Sequence, residues 1–106
     1  MTDDSVVLAY IVCKDVAEAK AIGRHLLEQR LVACVNIFPI QSAHWWEGQI
    51  VEDEEAVLIA KTVNRNFETV QRAVLARHSY TVPCVIKLSV ASAEDKYLAW
   101  LRGEVR

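Results

Sequence analysis

Residues 31–50, LVACVNIFPIQSAHWWEGQI, constrain the fold of this chain more than any other stretch. Residues 31–38 are rich in β-branched and aromatic side chains and hold one polar residue, Asn36, which suits a strand covered on both faces. Pro39 has no N–H to give to a ladder, so it predicts a bulge, a bend or an edge position. His44, Trp45 and Trp46 lead into Glu47-Gly48, where glycine supplies the positive φ that a hairpin turn needs. Successive side chains of a strand point to opposite faces, so Trp45 and Trp46 cannot share one core. One is expected to face the protomer's own interior and the other to be covered by another subunit.

A chain of 106 residues forms one domain, with a core that is sufficient but not generous. Its 53% hydrophobic and 25% charged residues are those of a soluble globular protein, and three Gly with two Pro leave little room for linkers. Twelve basic and 14 acidic residues give a net charge of −2 with no run of Lys or Arg, which argues against a nucleic-acid partner. The start, MTDDS, lacks the positive region of a signal peptide, and no apolar run approaches the roughly 20 residues of a membrane span. Three widely spaced cysteines suit a reducing compartment better than a disulfide framework. Together these features lead to the expectation of a cytoplasmic protein with no membrane partner.

Residues 6–12, VVLAYIV, are short and continuously apolar, as in a buried central strand. Asp15 and Glu18 form a box-like helix start. Ala19, Ile22, Gly23, Leu26 and Leu27 recur at helical spacing to face a sheet, leaving Glu18, Lys20, Arg24 and Glu28 toward water. The acidic run at 52–55 reads as a solvated turn, and residues 56–62 as a strand. Asn64 or Asn66 is placed to cap a second helix, marked by Phe67, Val70 and Val74 and ending near His78 ahead of Pro83. Residues 82–90 predict the last long strand, and Ser92 with Asp95 the cap of a terminal helix carrying Tyr97, Leu98, Trp100 and Leu101. The order is β-α-β, a hairpin, β-α-β and a final helix. That is the α+β, ferredoxin-like split βαβ plan. Strands that are apolar throughout, in a sheet with helices on one face, leave the other face to be covered by self-association.

No nucleophile elbow, H-E-x-x-H, phosphate-binding glycine loop or C-x-x-C is present, and none of the three His and three Cys sits at a zinc-finger spacing. His25 is a helix-surface residue, and Cys34 a small hydrophobe inside a strand. Cys13 ends the first strand at the mouth of a strand-to-helix turn, where structural and ligand roles both stand. His78 and Cys84 bracket a helix end leading into a strand, where polar groups converge. His44 suits an interface, Tyr80 and the tryptophans suit packing, and Lys61 an ordinary solvated strand end.

Five blocks carry a further observation: Ala33-Cys34-Val35-Asn36-Ile37, Ser42 with Trp46-Glu47-Gly48, Lys61-Thr62, His78-x-Tyr80-x-Val82-Pro83, and Tyr97-Leu98-x-Trp100. In order and spacing they closely resemble the CutA divalent-cation tolerance family over nearly the whole chain. The resemblance implies a ferredoxin-like protomer in a tight homotrimer, a link to copper tolerance, binding of copper or another divalent metal ion, and no established catalytic activity, so a non-enzyme is expected. The family's usual His-Pro-Tyr-Glu-x-Pro-Glu block is His78-Ser79-Tyr80-Thr81-Val82-Pro83-Cys84 here, so two carboxylates are missing and a thiol stands in place of one. The first-strand cysteine of some metal-binding relatives aligns with Ile11, and Cys13 lies two residues on, hence on the same face. Thiols favour softer ions. The expected metal ligands are therefore His78, Cys84 and Cys13, for copper, as Cu(I) or Cu(II), or zinc.

A competing expectation is a trimeric signalling or scaffold protein resembling the PII regulators. It would bind a small ligand between subunits, with Trp45, Trp46, Glu47, Lys61, Tyr80 and Trp100 at the cleft or interface. An acyl-phosphate hydrolase shares the fold plan but needs an anion-cradling loop after the first strand, which Cys13-Lys14-Asp15 does not provide.

Overall fold

Among residues 4–106, which the computed structural model describes, the chain runs β1 (Val6–Cys13), α1 (Val16–Glu28), β2 (Cys34–Trp46), β3 (Gln49–Val63), a 3-10 turn (Asn64–Asn66), α2 (Phe67–Arg77), β4 (Val85–Ser89) and α3 (Asp95–Glu104). The strands form one antiparallel sheet in the order β2-β3-β1-β4. This is the expected ferredoxin-like α+β plan, with β1 in the interior and β2 and β4 at the edges.

Strand alternation divides the sheet into two unlike faces. Val7, Ala9, Ile11 and Cys13 of β1 and Ala56, Leu58 and Ala60 of β3 are buried against Ala19, Ile22 and Leu26 of α1 and Val70 and Val74 of α2. Burying each large aliphatic side chain of this set contributes about 1.5–3 kcal/mol. Gly23 lets α1 approach closely: a Cβ there would lie 3.2 Å from Leu58 Cδ1 and 3.3 Å from Val35 Cγ2. On the opposite face a smaller cluster of Val6, Val63, Leu101 and Val105 lies under α3, while Phe38, Ile86 and Leu88 are exposed.

Helix α1 ends as its sequence allows. The N–H of Arg30 bonds to Leu27 O and that of Leu31 to Leu26 O, a Schellman closure that puts Arg30 at a left-handed φ of 57°. Leu31 and Val32 are buried in this turn, so β2 starts only at Cys34. The β2/β3 register runs unbroken from Cys34↔Lys61 to Trp46↔Gln49. Pro39 therefore makes no bulge; of the expected alternatives, the edge position is the one realised. Glu47 (φ 50°) and Gly48 (φ 79°) form the tight turn, as two left-handed residues in a primed hairpin do.

Several expectations are corrected. The acidic residues 52–55 are not a turn: they continue β3, which runs from Gln49. Since β1 meets β3 only from Ala56 onward, residues 40–55 pair with nothing but each other in the sheet. They form an arm, and the molecule extends to 44 × 26 × 25 Å. Neither tryptophan at its tip enters the protomer core, Trp45 being 72% and Trp46 48% exposed. β2 is thus not covered on both faces within one chain. Asn66 stands at the N-cap of α2 without capping it through its side chain; its Nδ2 donates to Arg106 O instead, at 2.9 Å. The terminal helix is capped by Glu94, not Ser92, through Tyr97 N–H. The last strand is shorter than expected, five residues from Val85.

Candidate functional site

The carboxylate at the start of α1 organises the end of the sheet. Asp15 Oδ1 accepts from Glu18 N–H at 2.8 Å, and Glu18 Oε1 accepts in return from Lys14 N–H at 2.9 Å, a reciprocal cap set by the D-x-x-E spacing. The other oxygen, Oε2, accepts from Ser79 N–H at 2.9 Å. Glu18 therefore does not face water as expected; its side chain is 9% exposed. Burial pushes its carboxyl up, but the hydrogen bonds from the Lys14 N–H, the Ser79 hydroxyl and the Ser79 N–H outweigh that and hold it below the ordinary value of 4.5.

His78 closes α2 with its side chain fully buried. Its Nε2 lies 2.7 Å from Val12 O and its Nδ1 accepts from Tyr80 N–H at 3.0 Å. A carbonyl only accepts and an amide N–H only donates, so these partners select the neutral ring with the proton on Nε2. Nε2 also stands 4.0 Å from Glu18 Oε1. Cys13, wholly buried, completes the group: one ligand atom each from Cys13, Glu18 and His78 lies within 4.8 Å of the others. Burial, then the carboxylates of Glu18, Asp15 and Glu55, push the Cys13 thiol up to about 12.

A nitrogen, a sulfur and an oxygen donor in one buried place suit zinc or copper by donor type. To receive such an ion, Cys13 must lose its proton and His78 must give up one of its two hydrogen bonds. Before that, the same groups act as a latch joining β1, α1 and the segment after α2. The protonated thiol is no activated nucleophile.

Cys84 does not join this group. Its carbonyl accepts from Val12 N–H at 3.2 Å, which places it beside Val12 instead of Cys13, and alternation puts neighbouring strand residues on opposite faces. With Val12 it lines a cavity of about 510 Å³ between the hairpin arm and the 80–84 segment. Its thiol is pushed up by burial and by Glu55. Tyr80 connects the two faces, its N–H on His78 and its hydroxyl donating to Glu55 Oε2 at 2.7 Å. Burial first, then the bond to Glu55 and its charge, raise that hydroxyl well above the ordinary tyrosine range.

The other expected cleft residues are scattered within one chain. Trp46 lines the cavity, whereas Trp45 and Glu47 lie at the exposed hairpin tip. Lys61 is near the far end of β3, its Nζ 3.3 Å from Tyr97 Oη, with the Trp100 ring tilted against Tyr97 at 5.5 Å between ring centres. Glu18, Glu55 and Asp53 went unnamed among the candidate ligands. The signals were there: the capping spacing for the first, and the two-residue alternation back from Val57 for the others.

A four-stranded antiparallel sheet, with a buried cluster of sulfur, nitrogen and oxygen donors on its helix-covered face and an open cavity on the other, defines a small ferredoxin-like α+β protein. The family model for the CutA1 divalent ion tolerance protein matches residues 7–104. The divalent-cation tolerance protein CutA of Archaeoglobus fulgidus is 42% identical over 92 residues, 87% of this chain and 90% of that one. A solved structure described as the periplasmic divalent cation tolerance protein CutA from Archaeoglobus fulgidus superposes with a TM-score of 0.93 at 40% identity, over 95% of this chain and 99% of that one. The chloroplastic CutA of Arabidopsis thaliana is 37% identical over 101 residues, 94% of this chain and 56% of that one. The chain belongs to the CutA1 divalent ion tolerance family.

The expectation of a cytoplasmic location is corrected by the same relatives, one described as periplasmic and another as chloroplastic. Free cysteines and an acidic first few residues speak of redox chemistry and charge, not of address.

Proposed function

We propose that this protein acts in cation tolerance by binding a soft or borderline ion, copper as Cu(I) or Cu(II) or else zinc, through Cys13 and His78 with Glu18, as a homotrimer and without catalysing a reaction. The observation that carries the reading is the approach of a sulfur, a nitrogen and a carboxylate oxygen to within 4.8 Å. Glu18 enters as the carboxylate, and Cys84, on the other face, takes no part in this cluster. Trimer formation is supported by the arm and by the exposed Phe38, Ile86 and Leu88, apolar surface that a second copy would cover. Anaerobic native mass spectrometry of the reduced protein, with substoichiometric Cu(I), Cu(II) and Zn(II), tests both parts. The expected result is a trimer that takes up one ion per subunit, with uptake lost in Cys13→Ser/His78→Ala. Equal uptake by that variant excludes these ligands.

A second reading, a small-ligand protein similar in architecture to the PII regulators, is favoured by the cavity beside Tyr80, whose volume falls in the range of small-molecule sites.

A further inference from the structure

We propose that the cavity between the hairpin arm and the 80–84 segment binds a small organic cation, an ammonium group carried on a short apolar body. The inference deepens the second reading above and is independent of the metal cluster, from which the sheet separates it.

Charge comes first. Asp53 and Glu55 line the cavity and no Lys or Arg does. Neither carboxylate forms an ion pair among the described residues. Glu55 is 9% exposed, and its one side-chain partner within the chain is the Tyr80 hydroxyl on Oε2, a neutral donor that leaves the charge uncompensated among the described residues. A nearly buried carboxylate with no counter-charge is costly, and an entering cation would relieve that cost. The same field opposes a phosphate-bearing ligand.

Shape and lining select among cations. The acidic, imidazole and thiol groups of the wall do not gather into a set of three ligand atoms within 4.8 Å, as Cys13, Glu18 and His78 do, so a bare metal ion would find no ready shell. Trp46, Val12 and Val82 supply apolar wall. The Trp46 ring, half-exposed at the rim, offers a π face to a cationic head. Some 510 Å³ holds a molecule with a body. An ammonium donates to the carboxylates beside that π face while its carbon body lies against the apolar wall of Val12 and Val82.

Benzylamine hydrochloride, with benzyl alcohol as its neutral counterpart, is a suitable pair of probes. In ¹H–¹⁵N spectra of the full-length reduced protein, benzylamine is expected to shift the Trp46 indole N–H and the Tyr80 and Cys84 amides saturably. Benzyl alcohol should bind about tenfold more weakly, as loss of a partly desolvated charge contact implies. Glu55→Gln should weaken benzylamine by a similar factor. Asp53→Asn, at an exposed position that does not threaten folding, should weaken it about threefold. Cys13→Ser should leave it unchanged. Equal binding of amine and alcohol would leave a ligand cavity but overturn its preference for cations. Saturable Zn(II) shifts of the Trp46 indole N–H in the Cys13→Ser/His78→Ala protein, where the buried cluster is dismantled, with none from benzylamine, would overturn the organic ligand in favour of a metal in the cavity. Silence with every probe would overturn both this inference and the second reading, leaving the metal cluster untouched.

Discussion

Replacing Glu18 with Gln keeps the side chain's shape and removes its charge, so it isolates what the carboxylate does at the junction of α1 with the segment after α2. The wild-type carboxylate accepts two backbone N–H bonds at 2.9 Å, from Lys14 and Ser79, on a side chain only 9% exposed. Gln keeps one acceptor oxygen and turns an NH₂ group toward the other N–H. A hydrogen bond to a charged acceptor contributes about 1.5–3 kcal/mol, and an unsatisfied donor costs about 1–3 kcal/mol, so the variant should lose about 3 kcal/mol. For a domain of about 100 residues that corresponds to a fall in Tm of about 12 °C. Thermal unfolding at fixed protein concentration measures it. The pH dependence supplies an independent check. The folded pKa of Glu18 is depressed below its ordinary 4.5, so its contribution is fully present above pH 4.5 and is lost as pH falls through the folded value. Gln has no such dependence, and the stability gap between the two proteins should narrow below pH 4.5. Equal midpoints at neutral pH, or a gap that stays constant into acid, would refute the assignment of the carboxylate as an ionised latch.

Because the Cys13 thiol stands at about 12, an ion bound there displaces a proton, and apparent Zn(II) affinity should rise about tenfold per pH unit through neutral pH; competition with a chromogenic chelator would show a flat profile if Cys13 is not a ligand. At Gly23, where a Cβ would meet Leu58 and Val35 at 3.2 and 3.3 Å, the helix-propensity gain of Gly→Ala, about 1 kcal/mol, is offset by crowding. Gly23→Ala should therefore be near neutral and Gly23→Val should lose about 2 kcal/mol or more by denaturant titration. Thr62 is buried and its Oγ1 donates to Leu31 O at 2.6 Å; Thr62→Val should cost about 1–2 kcal/mol in the same measurement, since the carbonyl keeps only the 3.5 Å contact to Asn66.

What could be read from the residues follows the range of the forces involved. β1, the capped start of α1 and the Glu47-Gly48 turn are set by neighbours a few residues apart, and they stand where spacing and turn chemistry put them. The acidic run at 52–55 was misread because charge density marks solvent exposure, and an arm projecting from the core is as solvated as a loop. Ser92 lost the capping role to Glu94 because both side chains suit that position, and local preference does not separate them. Cys84 parts from Cys13 by parity, since it stands beside Val12, and closeness along the chain to His78 says nothing about which face of a sheet a strand residue takes. Glu18 was visible as a cap, but its second partner, Ser79, is 61 residues away, a pairing that only the packing of α1 beside the end of α2 creates.

The unbroken pairing of residues 40–55 outside the β1 ladder gives the molecule two separate clocks for amide exchange. The β1 amides open only when the core opens. The arm amides are held by one partner strand and by whatever covers Trp45 and Ile50, which are exposed in the single chain. Their protection should fall more steeply on dilution than that of β1, so the hairpin becomes a gauge of assembly.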